Sequence, residues 1–205
     1  MLRSVIYILG SLIFAFSILG ISLLRTSTPD FIFYQSSDTY SQKGFVSPVE
    51  YYLPHHGLLP DHPFWPIKAL RDKVWVQLTR DPIKRAQLLL LFADKRISMA
   101  QELLQNREGE LGVSTAVKAE QYLKESFIQY QEAEKLGMDT ADFLQKLTRA
   151  SLKHREMLEE FKNTAPNDAK SVIVETLNTP KTLYEDTVRE LIRKGIDVPS
   201  TTTRE

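Results

Sequence analysis

Three stretches of the chain carry apolar residues at alternating spacings of three and four, the period of one helix face. In the first, Ala86, Leu90, Ala93, Ile97, Ala100 and Leu104 form a heptad seam, and its alanines let a neighbouring helix come close. In the second, Ala116, Ala119, Leu123, Phe127, Tyr130 and Ala133 point one way, Gly137 is placed to end the helix, and Glu120 with Lys124 reads as an i,i+4 pair on the outer face. In the third, Phe143 or Leu144, then Leu147, Ser151, His154, Leu158 and Phe161, make an inward stripe behind a cap at Asp139 or Thr140. The glycine-containing run NREGELGVST reads as the break before the second of these helices, which is expected to start near Ser114. Ahead of them, Ile67, Leu70, Val74 and Leu78 predict a helix with one apolar stripe, opened by Asp61 and Pro63, and Asp81-Pro82 is an N-cap followed by proline where its missing N–H is not needed. Behind them come a short apolar helix around 172–177 and, after Thr179-Pro180, a last helix through Tyr184, Val188 and Leu191 to Gly195. With no strand pattern, βαβ alternation or internal repeat, the expected fold is all-α, an antiparallel helical bundle of about five to six helices.

One apolar run is different in kind. VIYILGSLIFAFSILGISLL, residues 5–24, holds no charge, lies between Arg3 and Arg25, and has the length that crosses about 30 Å of hydrocarbon. It has no amphipathic period, and Gly20 with Ser22 is its one weak candidate for a cleavage site, so it reads as a single transmembrane anchor, an uncleaved signal, with a cleaved signal as the alternative. Arg3 and Arg25 balance each other, and a lone span at the N-terminus favours a cytoplasmic N-terminus with the body exported. Residues 26–48 lack a period and read as an extended juxtamembrane linker, with Phe31, Phe33 and Tyr34 fit either for the membrane interface or for packing on the domain. The expected organisation is an anchor at 1–25, a linker at 26–48, a helical domain at 49–195 that begins with a proline-rich collar, and a flexible tail at 196–205.

Composition narrows the function classes. An apolar fraction of 42% over 205 residues suffices for one domain with a core. Lysine plus arginine and aspartate plus glutamate are equal at 26 each, which removes any overall bias toward nucleic acid. The chain has no cysteine, hence no disulfide, thiolate metal site or cysteine nucleophile. Phosphate-loop, dinucleotide, serine-elbow and zinc-protease motifs are all lacking, so no catalytic or cofactor-binding residue is assigned and an enzyme is not the expected class. His55, His56 and His62 share one loop and could in principle hold zinc or copper, yet no helix or strand fixes their geometry and neighbours in an extended chain point apart. No metal or cofactor is therefore expected, and His154 reads as a hydrogen-bonded core histidine. Lys68, Arg71, Lys73, Arg80, Lys84 and Arg85 make either a solvated basic face or a site for anionic lipid heads or an acidic partner. Trp65 and Trp75, close to three turns apart, fall on nearly one side, as core packing or as an exposed partner surface.

The collar and the helices after it also carry an ordered motif. It runs Leu53, Pro54, Gly57, Leu58, Leu59, Pro60, Asp61 and Pro63, then Lys68, Leu70, Arg71 and Asp72, then Thr79, Asp81, Pro82, Lys84, Arg85 and Ala86, and then Ala93, Asp94, Lys95 and Arg96. In order and spacing it resembles the family catalogued as domain of unknown function 5667, over about residues 49–135. His55 and His56 stand where that family usually has tyrosine and proline, which weighs further against a metal. The resemblance implies an N-terminal membrane segment and an exported helical domain at a bacterial cell envelope, and supplies no catalytic residue. The expected function is a membrane-anchored extracytoplasmic module that binds or scaffolds, its partners being the bilayer through residues 5–24 and an unidentified envelope protein, with no nucleic acid. The alternative is an exported sensor or regulatory domain responding to a ligand, and an enzyme of unrecognised type comes third. The collar is expected to be a structural clasp, with Leu53, Leu58 and Leu59 across the bundle and Asp61 capping the first helix.

Overall fold

Asp81 opens the helix around which the rest of the domain is built. Its carboxylate accepts the backbone N–H groups of Ile83 at 3.0 Å and Lys84 at 3.2 Å, and Pro82 fills the first helical position. Replacing Asp81 with alanine should lower stability by about 1 kcal/mol, measured as a lower urea midpoint at unchanged slope.

The structure is a computed structural model that describes residues 50–199. The expected span at 5–24, the linker at 26–48 and residues 200–205 of the tail lie outside the described residues. Six helices follow one another there: α1 (Trp65–Leu78), α2 (Pro82–Gln105), α3 (Gly109–Lys135), α4 (Ala141–Thr164), α5 (Lys170–Thr176) and α6 (Asn178–Lys194). Among the described residues there is no strand, and no helix is long and apolar enough to cross a membrane.

The α2 helix is the axis. All six residues of its predicted seam are buried, and so are Leu88, Leu89, Phe92, Met99 and Leu103 on its other sides. α3 returns antiparallel beside it, close enough for Ser126 Oγ to donate to the Ala86 carbonyl at 2.8 Å. At their turn a Cβ on Gly112 would lie 2.8 Å from Leu104 Cγ, so this glycine permits a close helix approach instead of breaking a helix. α3 accordingly starts at Gly109, ahead of the predicted Ser114. The predicted inward residues of α3 and α4 are all buried, and Gly137 and Gly195 take left-handed φ values of 70° and 68° just beyond α3 and α6.

Two elements depart from the expected pattern. α6 runs on from α5 through a helical Leu177 with no cap from Thr179, because buried Ile173 and Leu177 fix that turn by packing, and it buries Pro180, Leu183, Thr187 and Leu191, leaving Tyr184 and Val188 half-buried. At the start of α4, Asp139 accepts the Ala141 N–H at 3.3 Å, while the Thr140 hydroxyl donates to Glu134 at 2.6 Å. α1 departs furthest. Of its predicted stripe, Ile67, Leu70 and Leu78 face outward at 68%, 64% and 55% exposed while Val74 is half-buried, Phe64 just ahead of the helix is 63% exposed, and the one buried residue of α1 is Asp72. Asp61 does not cap it: Phe64 is the cap residue, and its N–H donates to His62 Nδ1 at 3.1 Å.

The core falls into two apolar clusters. One gathers Leu90, Leu123, Phe127, Tyr130, Leu144, Leu147 and Leu191, and the other Ile97, Leu104, Val113, Met157, Leu158, Phe161 and Ile173.

Candidate functional site

Between those clusters α2, α3 and α4 each place one ionisable side chain. Asp94 follows Ala93 of the first cluster and precedes Ile97 of the second, Glu120 stands between Ala119 and Leu123, and His154 between Ala150 and Met157. His154 has no solvent exposure, and Asp94 and Glu120 are 3% and 2% exposed, so all three are sealed inside the bundle. The imidazole spans the two acids: Nδ1 donates to Glu120 Oε1 at 2.7 Å and Nε2 donates to Asp94 Oδ1 at 3.2 Å. Two N–H donors toward two carboxylates require an imidazolium. Burial alone pushes the His154 pKa down, but Glu120 and Asp94 outweigh it and bring it up to about 9.

The layer extends outward at Asp94. The Tyr51 hydroxyl donates to Asp94 Oδ2 at 2.6 Å, and burial, then the Asp94 charge, raises the phenol well above its usual range and keeps it a neutral donor. Lys146 is half-buried, and burial lowers its pKa while attraction to Asp94 opposes the fall. Glu120 Oε2 has no hydrogen-bond partner among the described residues. A histidine whose two nitrogens are both occupied, with no path to solvent, joins three helices and the collar at one level. It ties α2, α3 and α4 to one another at that level.

The collar is held over this layer mainly by polar contacts. Leu53 packs against the second cluster, His56 Nε2 meets Glu102 at 2.6 Å, and Lys68 Nζ donates to the carbonyls of His56 at 2.9 Å and Leu58 at 3.1 Å. Gly57, at φ 71°, provides the left-handed turn that aims both carbonyls at one ammonium. Leu58 is 42% exposed and Leu59 half-buried, so the expected leucine clasp is mostly a tyrosine, histidine and lysine clasp. The three collar histidines do not converge: His55 stacks on His56, His56 pairs with Glu102, and His62 takes the Phe64 N–H. Among the described residues, no group of histidine and acidic side chains is arranged to hold a metal ion.

Both tryptophans of α1 are half-buried toward α2. The Arg96 guanidinium lies 5.2 Å from the Trp65 ring and 4.8 Å from the Tyr122 ring, Lys68 Nζ lies 4.9 Å from Trp65, and Trp75 meets Phe92 edge-on at 6.3 Å. Arg71 pairs with Asp72 at 2.6 Å, Thr79 donates to the Trp75 carbonyl, and Arg85 donates to the Val76 carbonyl. Most of the motif residues between Lys68 and Arg96 thus build one corner, where α1 and the collar are fastened to α2.

The model of the family described as Domain of unknown function (DUF5667) matches residues 57–168, more than half of the chain. The chain belongs to this family. The match reaches past the collar motif to the end of α4 and takes in Asp94, Glu120 and His154. No curated protein and no solved structure matches the chain.

Within the DUF5667 domain the charged layer was the feature hardest to see. Glu120, expected on the outer face with Lys124, is buried against His154 and leaves Lys124 exposed. Its signal was its place beside Ala119 and three residues before Leu123, on the edge of the inward stripe. Asp94, a carboxylate inside the run LLLLFAD, carried the same signal. The remaining motif residues are structural in position: Pro54 and Pro60 are half-buried in the collar, Pro63 lies exposed in the turn before α1, Lys84 is exposed on α2, and Ala86 is fully buried.

Proposed function

We propose that this chain is a membrane-tethered DUF5667 domain on the outer side of a bacterial membrane, where it binds or scaffolds through the outward face of α1. The carrying observation is the row of Phe64, Ile67, Leu70 and Leu78, aliphatic and aromatic side chains that a helix packed only for stability turns inward. The sealed charge layer supports the same reading, since the most reactive side chains of the domain are spent on holding it together. The depression lined by Arg107, Glu110 and Ser114 is shallow and open, and it lies away from that layer. Residues 5–24 supply the tether by their length and lack of charge.

Because the chain has no cysteine, single probes can be placed at will. Leu70→Cys on the outward face and Glu125→Cys on exposed α3 should be compared with a membrane-impermeant maleimide on spheroplasts. We expect position 125 to react at once and position 70 to react several-fold more slowly than in purified protein. Labelling at neither position before lysis would put the body inside the cell, and a rate at position 70 equal to that in purified protein would leave the face uncovered. Either result overturns the proposal.

A further inference from the structure

We infer that what covers the outward face of α1 is the headgroup layer of an anionic membrane; this deepens the binding reading above and rests on it. The sign of the charge around the stripe points there. α1 carries Lys68, Arg71 and Lys73, and its one carboxylate, Asp72, is buried and paired with Arg71. No acidic side chain of α1 therefore faces outward. Lys68 is spent on the collar carbonyls and the Arg71 guanidinium on Asp72, so the exposed cation of α1 left to meet a headgroup is Lys73, which at 100° per residue borders the apolar row beyond Leu70. Its aliphatic stem can lie along the row while the charge reaches the headgroups. Arg80 stands exposed just past the helix, whereas Asp81 is occupied by the N–H groups of α2, which leaves Asp61, in the turn before α1, as the exposed acid at the other end.

The stripe also has the shape such a surface needs. Ile67, Leu70 and Leu78 run the length of one short helix, so the helix meets a flat layer side-on, which is the pattern of an interfacial helix with basic flanks. The length of chain ahead of it sets the distance. Residues 26–49, between the charge-free run at 5–24 and the described domain, span at most about 80 Å even when fully extended. A protein groove would need an acidic rim around an apolar floor, and the bilayer supplies both as a continuous layer.

The test uses the full chain carrying Leu70→Cys, labelled with an environment-sensitive fluorophore and reconstituted in vesicles of phosphatidylcholine alone or with phosphatidylglycerol. We expect a blue shift and protection from acrylamide quenching in the anionic vesicles, both several-fold smaller in neutral vesicles or at high salt. A label at Glu125→Cys should stay aqueous throughout. Lys73→Gln together with Arg80→Gln should lose most of the preference for phosphatidylglycerol while keeping the parent's unfolding midpoint, since both side chains are exposed. An aqueous label at position 70 in both vesicle types overturns the inference. If that position is nevertheless slow to react in spheroplasts, a protein covers the face and the binding reading stands; if it reacts fast there, both fall.

Discussion

Replacing His154 with alanine should lower the unfolding free energy by about 3 to 5 kcal/mol, the usual result of removing one partner from a buried charged group. The variant leaves Asp94 and Glu120 facing each other at the centre of the bundle without the imidazolium that joins them. Lys146 is attracted to Asp94, and Tyr51 donates to Asp94 Oδ2. The effect should appear in urea unfolding as a lower midpoint. Exchanging all three side chains for apolar ones of similar volume should restore most of the loss, because desolvating the charges offsets much of what their attraction supplies. A His154→Ala midpoint equal to the parent's would mean that the layer does not join the helices.

Raising the pH should release the same layer without any substitution. The folded-state pKa of His154 is about 9, above the unfolded value of about 6.5, so its contribution is complete below about pH 6.5 and is lost as the pH rises through about 9. The difference corresponds to about 3 kcal/mol. Tyr51 adds a loss in the same direction at higher pH, since its phenol ionises in the unfolded chain before it does against Asp94. Urea midpoints taken from about pH 6 to pH 10 should fall steadily, and the fall below about pH 9 should vanish in His154→Ala. Stability that is flat or rising over that range would contradict the charge assignment.

The bundle itself was legible because its signal is periodic: the residues in the stripes of α2, α3 and α4 are all buried, although α2 buries further residues on its other sides. The charge layer was not legible, for a physical reason. A glutamate four residues before a lysine looks the same on a solvated face as at the edge of a buried one, and only His154, thirty-four residues further on, decides which it is. The periodicity of α1 was also read correctly as one apolar side, but periodicity does not say what lies against that side. There the sequence places two tryptophans and Asp72 on the faces that fasten the helix to α2, and these outcompete the aliphatic row for the interior. Asp81 and Asp61 make the same contrast between caps. Asp-Pro before a long apolar run specifies a helix start, whereas Asp61 is followed by a turn in which His62 takes the free N–H.

The central claim, that the outward face of α1 is where the domain binds, is tested most directly by a photocrosslinking residue at position 70 in living cells, with one at position 125 as reference. Adducts should form from position 70, to lipid or to protein, and remain at background from position 125. No adduct from position 70, or equal adducts from both positions, would contradict the claim.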